Sequence, residues 1–262
     1  MKKVFIDGEA GTTGLRIRER LAARTDIELV TLPEALRKDT AARKTALNAA
    51  DIAFLCLPDA AAVEAVSMIE NPDTVVLDTS TAHRTDPRFV YGFPELAAEQ
   101  AAHIAASKRI AVPGCHASGF IATVAPLVQH GLLAPDAALT CHSVTGYSGG
   151  GKKMIAAYGE ADRSPLYDAP RQYGLSQTHK HLPEMTAMCG LQSPPIFCPI
   201  VADFYSGMVV TVPLFAHQLT PGATAADVKA VLKAAYGGSI VRYVVTADAD
   251  GFLSAAALSG KD

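Results

Sequence analysis

Val4-Phe5-Ile6-Asp7 runs straight into Gly8-Glu9-Ala10-Gly11-Thr12-Thr13-Gly14, and an amphipathic stretch carrying Leu15, Ile17 and Leu21 follows. Three evenly spaced glycines between a short apolar strand and a helix constrain this chain more than any other feature. Glycine takes the dihedrals of a tight strand-to-helix turn at little cost. Its missing side chain also lets backbone N–H groups close on a phosphate at a helix N-terminus. The spacing is Gly-x-x-Gly-x-x-Gly rather than the commoner Gly-x-Gly-x-x-Gly, but the physics is shared. It predicts a dinucleotide-binding unit with Gly8, Gly11, Thr12, Thr13 and Gly14 at the cofactor.

The pattern downstream agrees. Apolar runs at 27–32, 52–57 and 74–77 read as strands, the second closed by Pro58 and followed by an alanine-rich helix led by Asp59. Near-continuous apolar strands alternating with helices mean a parallel sheet covered on both faces. Beyond Cys115 the pattern changes to an apolar helix over about 117–129, strand-like runs at 139–145, 196–201 and 208–215, and a helix-like run near 181–189. The expected fold is α/β. A doubly wound, Rossmann-type parallel sheet fills residues 1–113, and an α+β domain with a mostly antiparallel sheet, for catalysis, substrate and oligomerisation, fills 114–262.

Composition excludes several classes of function. A net charge of -3 offers no basic field to nucleic acid and no polybasic patch to a membrane. The apolar run 120–128 falls short of the ~18 residues a membrane span needs. After Met1-Lys2-Lys3 only three apolar residues precede Asp7, which is no secretory leader. Five cysteines without zinc-like spacing predict free thiols in a reducing cytoplasm. Cys56, Cys141, Cys189 and Cys198 read as core residues. Cys115 differs: it follows Pro113-Gly114 and opens a helix, where the dipole pushes a thiol toward its nucleophilic thiolate.

A thiol nucleophile needs a proton acceptor and later a donor, and His179-Lys180-His181-Leu182-Pro183-Glu184 supplies two imidazoles and a carboxylate. Either histidine can serve. Glu184, three residues after His181, is placed to steer that ring, so His181 is assigned proton transfer and His179 anion binding. The segment lacks His-Glu-x-x-His spacing and a nearby cysteine, which argues against a metal. Gly146-Tyr147-Ser148-Gly149-Gly150-Gly151-Lys152 is a second glycine-rich loop. Ser148, Gly149 and Lys152, with Arg84 after a strand end, are candidate substrate-anion contacts. Glu34 is spaced to grip a ribose hydroxyl, as NAD requires. Arg37 and Lys38 behind it suit a 2′-phosphate, and they tip the reading toward NADP.

Together the ordered motifs resemble the N-acetyl-γ-glutamyl-phosphate reductase family, in its shorter bacterial branch. They are Gly8–Gly14, Ser80-Thr81-Ala82-His83-Arg84, Tyr91-Gly92-Phe93-Pro94-Glu95, Pro113-Gly114-Cys115, Gly146–Lys152 and His179–Glu184. The resemblance implies NADPH as cofactor, no metal, Cys115 as nucleophile, and an acid–base group within His179–Glu184. It also implies reduction of the acyl phosphate to a semialdehyde through a thioester, in arginine biosynthesis. A homo-oligomer is expected, with dimers mediated by the second domain's sheet. His116 stands where many relatives carry tyrosine, a change expected to alter packing. The family also continues into a glycine-rich segment and a further helix beyond the equivalent of Gly260-Lys261-Asp262. Two other readings stay open: an aspartate-semialdehyde-type dehydrogenase, and an NADP-binding sensor with a non-catalytic thiol.

Overall fold

The computed structural model describes residues 1–238, 240–245 and 250–261. The chain forms two compact units, Met1–Gly114 and a second beginning at Cys115.

The first unit runs β1 (Lys2–Asp7), α1 (Thr12–Ala22), β2 (Ile27–Val30), α2 (Thr40–Ala49), β3 (Ile52–Leu55), α3 (Asp59–Ser67), β4 (Val75–Asp78), β5 (Val90–Tyr91), α4 (Gln100–Ala106) and β6 (Arg109–Ala111). Its sheet has the order β2-β1-β3-β4-β6-β5, and every pairing is parallel. Phe5, Leu47, Ala53, Leu55, Val76 and Ala111 form its buried core. The strands read as apolar runs because the sheet is buried on both faces. From β1 the chain moves to one side for β2 and returns to the other for β3. The loop after β1 therefore lies at the point where strand order reverses, which is where such sheets bind ligands.

The second unit runs α5 (Cys115–Gln129), β7 (Thr140–Gly146), α6 (Gly151–Gly159), β8 (Arg171–Gln172), α7 (Leu182–Cys189), β9 (Ile196–Ala202), β10 (Met208–Thr211) and α8 (Ala225–Ala235). Its sheet order is β10-β7-β9-β8. The β10/β7 and β8/β9 pairings are antiparallel, as expected for most of the sheet. The longest ladder, from Thr140 opposite Ile196 to Gly146 opposite Ala202, is parallel, so the sheet is mixed. The connection between those two strands contains α6 and α7, and only such a long crossover lets neighbours run parallel.

Helix α5 buries Ala117, Phe120, Ile121, Val124 and Leu127, each large apolar side chain contributing about 1.5–3 kcal/mol by burial. It packs on α7 and β10. Gly119 permits the close approach to β10, because a Cβ there would lie 2.5 Å from the Val210 side chain. Among the described residues no helix is long and apolar enough to cross a membrane.

Candidate active site

Two groups of residues carry chemistry, one in each unit. In the first unit, the turn after β1 is built by glycine. Gly8 has φ +86°, and a Cβ there would lie 2.3 Å from the Cys56 carbonyl oxygen. A Cβ on Gly14 would lie 2.5 Å from the Gly8 carbonyl oxygen. The N-cap of α1 is Gly11, which provides no capping side chain. The helix start opened by Thr12 and Thr13 is therefore suited to a phosphate.

Beside this turn lies a cavity of about 650 Å³, lined by Gly8, Glu9, Ala10, Leu32, Glu34, Arg37, Lys38 and Arg43, among others. Glycine turn, uncapped helix start and cations on one cavity fit a dinucleotide. Buried Arg43 pairs with Asp7 at 3.0 Å and Glu64 at 3.0 Å beneath it. Burial pushes the Asp7 carboxyl up against the opposing pull of Arg43. Arg37 lies 3.1 Å from buried Glu9, within the glycine turn itself, whereas Lys38 is exposed at the cavity. Arg84 is buried, and its guanidinium donates to the carbonyls of Val112 at 2.9 Å and Thr79 at 3.0 Å. Those bonds brace the strand ends.

In the second unit, Cys115 is exposed and is the first residue of α5. The other thiols sit differently. Burial pushes Cys141 and Cys189 up to about 12 and Cys56 up to about 11. Cys56 and Cys198 are only half-buried, not core as expected.

Because α5 packs on α7, the segment entering α7 comes up to the start of α5. The His116 ring centroid lies 5.6 Å from that of His181 and 5.8 Å from that of His179, and these two are 4.8 Å apart. Phe197 of β9 packs edge-on against His116 and His179 at 5.3 and 5.0 Å. His181 is buried at the N-cap of α7. Glu184 is buried in that helix's first turn, where its charge also suits the dipole. The His181 backbone N–H donates to His179 Nδ1 at 3.2 Å. Burial and the neighbouring Lys180 charge lower the His179 imidazole. A neutral His179 accepting at Nδ1 carries its proton on Nε2 and presents that N–H as a donor.

Sequence reasoning did not reach three further members of this cluster. His116 Nδ1 lies 2.7 Å from Ser143 Oγ and Nε2 lies 2.8 Å from the Tyr173 hydroxyl. Burial, then the nearby His179, pushes the His116 imidazole down to about 4. Burial and the Cys115 charge push the Tyr173 phenol up to about 12. Only the placement of histidine directly after the helix-opening cysteine signalled this in the sequence. The loop bearing His179 is held by Gln177, whose side-chain amide pairs with both N–H and carbonyl of Phe197 at 2.8 Å.

The second glycine-rich loop is less open to an anion than its sequence suggests. The N–H groups of Gly146, Tyr147 and Ser148 donate to the carbonyls of Gly207, Phe204 and Tyr205. The loop presents Gly149 and the Lys152 ammonium to solvent. Among the described residues, no group of three or more His, Cys, Asp or Glu is arranged to hold a metal ion.

A doubly wound parallel sheet with a glycine turn, joined to a mixed-sheet unit opened by a cysteine-led helix, defines a two-domain dehydrogenase architecture. Comparisons with known proteins agree. Residues 33–104 match the semialdehyde dehydrogenase NAD-binding domain, and residues 115–260 match the semialdehyde dehydrogenase dimerisation domain. An N-acetyl-γ-glutamyl-phosphate reductase from Rhizobium etli is 47% identical over 99% of this chain and 86% of its own length. One from Burkholderia lata is 50% identical over 87% of this chain and 72% of its own. Among solved structures, aspartate semialdehyde dehydrogenase from Francisella tularensis superposes with a TM-score of 0.63 at 13% identity, covering 90% of this chain and 81% of that one. The enzyme from Candida albicans, solved with NADP, superposes with a TM-score of 0.57 at 17% identity, covering 89% and 76%. At such identities the likeness shows the fold. The chain belongs to the semialdehyde dehydrogenase family, in the branch of the N-acetyl-γ-glutamyl-phosphate reductases.

Proposed function

We propose that this chain reduces N-acetyl-γ-glutamyl phosphate to N-acetylglutamate semialdehyde and phosphate, with NADPH as reductant, in arginine biosynthesis in the cytoplasm. The observation that carries the reading is an exposed Cys115 at the start of a fifteen-residue helix, beside a cluster of imidazoles. The aspartate-semialdehyde alternative rests on structures below 20% identity, whereas the reductase relatives reach 45–50%.

Cys115 as thiolate attacks the acyl carbonyl, the C–O bond to phosphate breaks, and a thioester remains. The acyl phosphate is already activated, so the protein's contribution is placement and charge stabilisation. NADPH, when bound, supplies the hydride that reduces the thioester. We assign its phosphates to the Gly8–Gly14 turn, where Thr12 and Thr13 open α1. Lys38 is the cation for the 2′-phosphate, with Arg37 joining as it leaves Glu9. His181 takes the Cys115 proton and later protonates the acyl oxygen, steered by Glu184. Collapse of the thiohemiacetal then returns the proton and frees the semialdehyde and thiolate. His179, through its Nε2 proton, and Lys152 hold the substrate's anionic groups. Ser148 and Gly149 shape that loop, and Arg84 braces the strand ends of the first unit. The second unit matches a dimerisation domain, which supports a homo-oligomer that sedimentation would detect.

The test is substrate-dependent NADPH oxidation. Cys115→Ser abolishes it while nucleotide binding persists, because an alcohol is a far poorer nucleophile near neutral pH. His181→Asn lowers turnover by ~10²–10⁴, the usual worth of an acid–base group, whereas His179→Asn acts on KM. Turnover by the serine variant would refute the thioester route, and would leave the sensor reading equally untenable.

A further inference from the structure

We propose that the Glu9 carboxylate holds the place of the cofactor's 2′-phosphate on Arg37, and so limits how strongly the chain selects NADPH over NADH. This rests on the reading of Arg37 and Lys38 as the cations that meet that phosphate.

Glu9 follows Gly8 in the turn after β1, where an acid opposes the charge of any nucleotide phosphate unless it is compensated. Its side chain is only 10% exposed, and two guanidiniums flank it. Arg37 Nη2 lies 3.1 Å from Oε1, and Arg18 Nη1 lies 3.7 Å from Oε2. A carboxylate so buried needs this counter-charge. Glu9, Arg37 and Lys38 line the same cavity of about 650 Å³ beside the glycine turn.

The contact with Arg37 is ionic rather than a matched pair. Glu9 Oε1 and Arg37 Nε are both buried, and neither makes a hydrogen bond among the described residues. Nε and Nη2 form one edge of the planar guanidinium, the edge that takes two oxygens of a phosphate side by side. Glu9 meets one corner of that edge and leaves the other without an acceptor. A phosphate fills both corners and replaces the carboxylate. Arg18 stays beside Oε2 when Arg37 leaves, so the exchange does not strand a buried charge. NADH carries a neutral hydroxyl where NADPH carries the phosphate, and has no charge to offer Arg37 in exchange. Only NADPH therefore has to displace Glu9, and its apparent affinity is reduced by the fraction of time that Arg37 is free.

The experiment is fluorescence titration of the whole chain with NADPH and with NADH, which differ at this position alone. Glu9→Gln is expected to tighten NADPH by ~3–10-fold more than NADH, as for an Arg37 free between a tenth and a third of the time. Glu9→Asp keeps the charge in the turn but draws it back from Arg37, and should tighten NADPH alone. In an Arg37→Ala background, Glu9→Gln should change both cofactors equally, because the pair it breaks is already gone. Equal tightening of both cofactors by Glu9→Gln in the native background would mean general repulsion and overturn the proposal. Weaker NADPH binding would overturn it too, by making Glu9 an anchor for Arg37 instead of its competitor. Failure of the underlying cofactor reading is seen separately, as equal weakening of NADPH and NADH by Arg37→Ala alone.

Discussion

His116 takes two hydrogen bonds at its ring nitrogens in a buried pocket, and this makes it a pH-sensitive element of the second unit's stability. Its imidazole is pushed down to about 4 from 6.5, by burial and by the neighbouring His179. The unfolded chain therefore binds a proton more readily than the folded one between those values. Stability from this group is complete above pH 6.5 and is lost as pH falls toward 4, by about 3 kcal/mol in all. The lowered His179 imidazole acts in the same direction. Urea unfolding at pH 7 and pH 4.5 should show a smaller acid loss in His116→Gln than in the native chain. An equal loss in both would mean that His116 ionises freely in the fold. The sequence showed this residue only as a departure expected to alter packing. Its two partners lie 27 and 57 residues away, and no local periodicity marks Ser143 or Tyr173 as belonging beside His116.

The elements that set the chemistry in place are the β1–α1 turn and the start of α5, and both were legible. Glycine spacing after a strand, and a cysteine after Pro-Gly before an apolar run, are local signals with a direct steric cause. Strand ends were less legible. The run expected over 208–215 pairs only through Met208–Thr211, since Pro213 has no N–H to give a ladder. The parallel pairing of β7 with β9 was not legible either. Alternating burial along both strands looks the same whichever way the partner runs. Nor did the sequence show that the second loop's N–H groups go to residues 204–207. The glycine turn gives an element-scale prediction. Gly8→Ala must hold φ +86° against a Cβ only 2.3 Å from the Cys56 carbonyl oxygen. It should cost at least the ~1–3 kcal/mol of a strained backbone and weaken NADPH binding severalfold. Thermal melts and fluorescence titration check this, and a variant with native affinity would show that β3 moves aside at little cost.

At the scale of the molecule, the two halves of the proposed reaction are carried by separate compact units. The first packs α2, α3 and its parallel sheet around Phe5, Leu47, Leu55 and Val76. The second packs α5 against α7 and β10, with Phe120, Leu127 and Phe197 among its buried side chains. Binding a nucleotide relies on the first core, and setting the reactivity of a thiol relies on the second. Lesions should therefore separate by function, as perturbations without shared partners do. Cys115→Ser should leave NADPH affinity within about twofold while abolishing turnover, and Gly8→Ala should leave the rate and pH midpoint of Cys115 alkylation within about twofold while raising the KM for NADPH severalfold. The same preparations serve both readouts, fluorescence titration for the nucleotide and mass spectrometry for the thiol. If Gly8→Ala slows alkylation severalfold, the thiol's reactivity depends on the first unit.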